Sequence, residues 1–162
     1  KNVTGDLTTS KSYTFTVQDA NNNYYDASGT ASTTKVTVSV TAGSSTTISN
    51  LPVGTYTVTE DEEDAKETGY TLQVTGSGAS VNVATGNPAK VTVTNNYTQD
   101  KGSLKLTKKV TGDLKTTKSY TFTITDKNKN YYDKDGKAST TAVTVSVKAG
   151  SSVTIPNLPV GL

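Results

Sequence analysis

KNVTGDLTTSKSYTFTVQDANNNYYDASGTASTT, residues 1–34, returns as KKVTGDLKTTKSYTFTITDKNKNYYDKDGKASTT, residues 108–141. The likeness runs on through TAGSSTTISNLPVG (41–54) and KAGSSVTIPNLPVG (148–161). Two copies that agree at roughly three-quarters of positions without a gap must share one fold. Lys108 minus Lys1 gives a period of 107 residues, which is the size of one β-sandwich domain. The chain of 162 residues thus divides into a first domain at 1–98, a polar linker QDKGS at 99–103, and a second domain at 104–162 that stops short of its own repeat. The opening strand of the first domain, the counterpart of GSLKLT at 102–107, is expected to be clipped. The whole reads as a mature, soluble segment of a longer array.

Inside the repeat, apolar residues alternate with polar ones at the spacing of strands. Tyr13, Phe15 and Val17 share a face, as do Val36, Val38 and Val40; Tyr56 and Val58, Tyr70, Leu72 and Val74, Val81 and Val83, and Val91 and Val93 follow. Gly-, Asn- and Ser-rich turns separate them, such as NNN before Tyr24, AGSS at 42–45 and GSG at 76–78. No stretch carries helical periodicity. Many short strands at this spacing predict an all-β, immunoglobulin-like sandwich in tandem copies.

Composition removes most other readings. Cysteine and histidine are both absent, which excludes a disulfide framework and the usual zinc, haem, Ser-His and Cys-His constellations. Neither a turnover enzyme nor a cofactor is expected. All 16 basic residues are lysine, spread along strands and turns rather than massed beside aromatics, so no nucleic-acid partner is expected. The net charge of +2 conceals an acidic run at residues 60–64 and a lysine-rich second half. No apolar run reaches transmembrane length, so no membrane partner is expected either. A small domain without disulfides has only a modest stability margin and must find its durability elsewhere.

Alternation also places three polar residues on inward-facing stripes. Lys108 is in phase with Leu104, Leu106 and Val110, and Lys1 is its equivalent ahead of Val3. Glu60 extends the stripe of Tyr56 and Val58, and Asn95 extends that of Val91 and Val93. A single such residue ordinarily turns to water at its strand end, since Lys and Glu are rarely buried. Three together point to a buried cluster, where charges must neutralise or pair.

The order LKLTKKVTGD, LPVGTYTVTE, VTVTNN resembles the CnaB-type and streptococcal major-pilin domains of Gram-positive surface proteins. The resemblance implies an intramolecular isopeptide bond between the first-strand lysine and the last-strand asparagine, assisted by the glutamate of the TE motif. By motif position these are Lys1, Asn95 and Glu60, the last as proton shuttle. Lys108 is the second domain's lysine, with its partners beyond residue 162. In apolar surroundings an amine and an acid can both be neutral, and a neutral amine is a nucleophile. Holding it against the carboxamide supplies the effective concentration that such a slow reaction needs.

The implied role is a stalk or shaft module of a surface adhesin or pilus, extracellular on the cell wall. Its partners would be neighbouring repeats, other copies in a fibre and a host surface ligand. The rival reading is an adhesin module whose loops recognise a host protein or glycan. DANNNYYD (19–26) and DKNKNYYD (126–133) carry the D-x-N-x-N spacing of calcium loops but lack its glycine and terminal glutamate, so they read as Asn-rich turns. LPVG at 51–54 and 158–161 reads as the turn before the TYTVTE strand, and Tyr24 and Tyr25 as turn packing.

Overall fold

A computed structural model describes residues 1–161; Leu162, the last residue of the second expected domain, lies outside them. The chain forms two compact units, the first Lys1–Thr98 and the second from Gln99 onward. Both are almost entirely β.

In the first unit the elements are β1 (Asn2–Gly5), β2 (Ser12–Asp19), β3 (Tyr24–Tyr25), β4 (Ala31–Ser32), β5 (Val38–Thr41), β6 (Gly54–Glu60), α1 (Glu62–Ala65), β7 (Tyr70–Thr75), β8 (Ala79–Val83) and β9 (Thr94–Gln99). One sheet has the order β4-β3-β2-β6-β8 with β5 also paired to β2, and a second sheet has the order β1-β9-β7. Alternation along β2 turns Tyr13, Phe15 and Val17 inward, each at most 5% exposed. Tyr13 and Phe15 meet Val93 and Tyr97 from the other side in one cluster, with Leu72 and Val74 of β7 packed against it. Fully burying each of these large side chains stabilises the unit by roughly 1.5–3 kcal/mol. Two sheets joined through such a core have the layering of a sandwich.

The second unit contains β10 (Lys101–Thr107), β11 (Ser119–Phe122), β12 (Tyr131–Tyr132), β13 (Ala138–Ser139), β14 (Val145–Lys148) and β15 (Ser152–Pro159). They pair as β10-β15, β11-β14 and β12-β13. Val145, Val147 and Ile155 form its core, with Leu106, Phe122 and Val153 against it.

Four local expectations change. Val91 and Val93 are not in a strand, because β9 begins only at Thr94, where β1 supplies a ladder partner. Val36 likewise precedes β5. The linker at 99–103 is largely strand: Gln99 ends β9, and Lys101 and Gly102 pair with Pro159 and Leu158. The acidic run also contains one helical turn, α1, whose N-cap Asp61 accepts a hydrogen bond from the Asp64 N–H. A single turn is too short to show a helical period.

Candidate functional site

β1 runs parallel to β9 in the register Asn2↔Thr94 and Val3↔Asn95, and the Asn2 N–H donates to the Val93 carbonyl at 2.9 Å. This fixes the residue ahead of β1, Lys1, over the inner face of the core. Close approach of the two strands depends on Gly5, where a Cβ would lie 2.1 Å from the Tyr97 carbonyl oxygen and φ is +89°. β6 pairs antiparallel with β2, and its last residue, Glu60, lies opposite Phe15. Along β6, Tyr56 and Glu60 are both buried, as the two-residue period requires.

The Lys1 Nζ lies 2.5 Å from Glu60 Oε1, with both side chains 0% exposed. The amine is 4.3 Å from the centroid of the Tyr13 ring and 5.8 Å from that of Phe15. Asn95 is also 0% exposed, and it stands on β9 between Val93 and Tyr97, which pack with the same two rings. Among the described residues, Lys1 Nζ, both Glu60 carboxylate oxygens, and Asn95 Nδ2 and Oδ1 are the buried side-chain atoms left without a hydrogen-bond partner. At 2.5 Å the amine and carboxylate form a buried ion pair, whereas the Asn95 carboxamide has no partner for either of its polar atoms.

Leaving a buried polar atom unpaired costs about 1–3 kcal/mol, and more if it is charged. Burial pulls the Lys1 amine below its ordinary 10.5, outweighing the upward push of the Glu60 carboxylate. The shift favours the neutral amine, which is the nucleophilic form.

A second layer, absent from the sequence reading, holds this cluster in place. The Tyr97 hydroxyl donates to the Ala65 carbonyl at 2.5 Å and lies 3.1 Å from the Tyr13 hydroxyl. Ala65, itself 0% exposed, ends α1, which begins two residues after Glu60. The Glu60 N–H donates to Ser77 Oγ at 3.0 Å, and the Asp61 N–H to the Thr14 carbonyl at 2.9 Å. Hydrogen bonds therefore tie the strand end bearing Glu60 to the strand bearing Asn95. Tyr97 was readable as inward from its phase with Asn95, but its partner at Ala65 is a tertiary fact.

Among the described residues, Lys108 shares the tyrosine contact of Lys1 but not its carboxylate partner. Its Nζ lies 4.4 Å from the Tyr120 ring centroid, with Lys118 at 5.6 Å, as Lys11 lies 6.0 Å from Tyr13. Lys108 follows β10 rather than lying within it, and it is half-buried, as is Val110, while Leu104 is 42% exposed.

The D-x-N-x-N loops are closed on themselves. Asp19 accepts from the Asn21 and Asn23 N–H groups, the Asn23 amide and the Tyr25 hydroxyl. Asp126 repeats the pattern with Asn128, Asn130 and Tyr132. These bonds hold both carboxylates below their ordinary range. Tyr25 packs edge-on against Tyr56 at 5.2 Å. Among the described residues no group of acidic side chains is arranged to hold a metal ion, and no helix is long and apolar enough to cross a membrane.

Residues 1–98 and 104–162 match the model of a family described as a domain of unknown function (DUF5979). No curated protein and no solved structure matches the chain.

Proposed function

Given that the chain belongs to the DUF5979 family, we propose that its units are structural stalk modules of a bacterial surface adhesin or pilus, each locked by an isopeptide bond that it makes itself. The reading takes the fold to be an immunoglobulin-like sandwich of CnaB type in tandem copies. It places the protein outside the cell, where stability without disulfides has to come from another covalent link. The observation that carries it is the sealed cluster: an amine and a carboxyl group in contact, with a fully buried carboxamide in the same core whose polar atoms lack hydrogen-bond partners.

In the proposed reaction the neutral Lys1 amine attacks the Asn95 side-chain carbonyl carbon. Glu60, 2.5 Å from that amine, acts as the general base that accepts its proton as the tetrahedral intermediate forms. The carboxylate then moves the amine proton to the departing nitrogen, which leaves as ammonia. One C–N bond forms, one breaks, and Glu60 ends as it began. The product is a neutral secondary amide. This happens once per domain, so it is maturation rather than turnover.

The mechanical consequence follows from topology. A Lys1–Asn95 bond joins the first and last strands of the unit, so tension crosses it covalently and never loads the β ladders between. Single-molecule pulling from the two ends tests this. The first unit should contribute no extension from the chain between the two residues, whereas Lys1→Ala should release that length. Release of the same length by the parent chain would reject the stalk reading.

A further inference from the structure

Between residues 19–30 and their counterparts 126–137 five positions differ, and four of the five exchange a neutral residue for lysine. Ala20 becomes Lys127, Asn22 becomes Lys129, Ala27 becomes Lys134 and Thr30 becomes Lys137. The fifth sets Asp135 in place of Ser28. All four lysines are exposed.

The backbone beneath them does not change. Asp19 Oδ1 accepts from the Asn21 and Asn23 N–H groups at 2.9 Å, and Asp126 Oδ1 accepts from those of Asn128 and Asn130 at 2.9 Å. Asp26 Oδ1 likewise holds the N–H groups of Ser28 and Thr30, and Asp133 Oδ1 holds those of Asp135 and Lys137. Two turns are thus reproduced bond for bond while only their tips are exchanged. Recognition loops on a fixed scaffold have this division of labour.

One exchange runs against the backbone. φ is +64° at Asn22 and +65° at Lys129. Asparagine enters this left-handed region more readily than lysine does. The Asp126 carboxylate takes its bonds from Asn128, Asn130 and Tyr132, so Lys129 adds nothing to the turn in return. Strain that local structure does not explain points to a task for the side chain.

Asp126 and Asp133 are half-buried and occupied by the N–H groups of their own turns. The exposed tips therefore carry four positive charges against one negative, Asp135, which pairs with Lys134 at 2.7 Å. Lys127 also donates to the Gly161 carbonyl at 3.1 Å. The turns flank β12, which is two residues long, or about 7 Å at the rise of a strand. Two pairs of charges on either side of a short strand suit an extended chain of anions better than one small ion. Lysine is a point charge on a flexible stem, suited to anionic groups whose presentation varies along a polymer.

We propose that the two lysine-tipped turns of the second unit bind a linear polymer bearing sulfate or phosphate groups. The inference does not rest on the Lys1–Asn95 bond. Sulfated polysaccharides and phosphodiester polymers share the chemistry, and the test separates them.

The experiment titrates the full chain with heparin and with poly(glycerol phosphate) by calorimetry over a series of salt concentrations. Lys127→Ala, Lys129→Asn, Lys134→Ala and Lys137→Thr together restore the first copy's residues on an unchanged framework. This variant should bind roughly tenfold or more weakly, and its slope of log affinity on log salt should be shallower by about 2–3. Adding Ala20→Lys, Asn22→Lys, Ala27→Lys and Thr30→Lys should return binding through the first unit. A charge-matched control with Lys101, Lys105, Lys109 and Lys115 each changed to Gln should bind nearly as the parent does. Equal losses in the control and the turn variant would overturn the proposal, because net charge alone would then account for binding. Failure of the parent to bind either polymer would overturn it too. Tighter binding of one polymer at matched charge supports the proposal and identifies the source.

Discussion

Asn95→Ala removes the electrophile and leaves the Lys1–Glu60 contact in place, so it isolates what the cross-link itself contributes. A bond from residue 1 to residue 95 closes a loop of about 95 residues, which the chain-entropy relation for cross-links values at about 4.7 kcal/mol at 25 °C. Truncating this fully buried side chain also forfeits its packing, so the cross-link figure is a lower bound on the total loss. A domain of this size shifts its melting point by about 4–8 °C per kcal/mol, so Asn95→Ala should melt roughly 20–40 °C below the parent. The stabilisation acts on the unfolded state, and the urea slope should report it. A tethered unfolded chain exposes less surface, so the variant should unfold with the steeper dependence. Scanning calorimetry and urea titration of both proteins measure these quantities. A melting point within a few degrees of the parent, with an unchanged slope, would mean that no such cross-link constrains the unfolded chain.

Tyr97→Phe strips the hydroxyl that reaches the Ala65 carbonyl and the Tyr13 hydroxyl; it should cost about 1–3 kcal/mol and slow bond formation, followed by mass spectrometry during refolding. Gly5→Ala should cost about 2 kcal/mol or more, because the new methyl meets the Tyr97 carbonyl at a positive φ; thermal melts and the cross-linked fraction should fall together. Tyr56, raised to about 12 chiefly by burial, with the Tyr25 hydroxyl assisting, gives a signed pH dependence. Its folded-state value lies above the unfolded one near 10, so its contribution is complete below pH 10 and is lost as pH rises towards about 12. Urea unfolding across that range should show a smaller loss of stability in Tyr56→Phe.

How far the sequence could be read depended on the range of each interaction. Inward phase is a two-residue property of a strand, so Glu60 could be placed from Tyr56 and Val58, and the structure buries it at 4% exposure. Asn95 was read from Val91 and Val93, and it is buried although those residues precede the strand; the working phase runs forward to Tyr97. That late start reflects a missing ladder partner, which no local pattern contains. The α1 turn escaped for the opposite reason, since its sequence signal was charge and its cap a single Asp61 hydrogen bond. The linker misled because QDKGS has turn composition, yet Lys101 and Gly102 gain partners in β15, far along the chain. Tyr13, Tyr97 and Ala65 are ordinary residues one by one, and only tertiary structure makes them a brace.

The most direct measurement is the intact mass of the purified chain, taken after denaturation so that only covalent links count. A self-made Lys1–Asn95 bond requires a parent lighter than its calculated mass by one ammonia, and a Lys1→Ala variant at its full calculated mass. A parent at full calculated mass, or a variant still lighter by one ammonia, would contradict it.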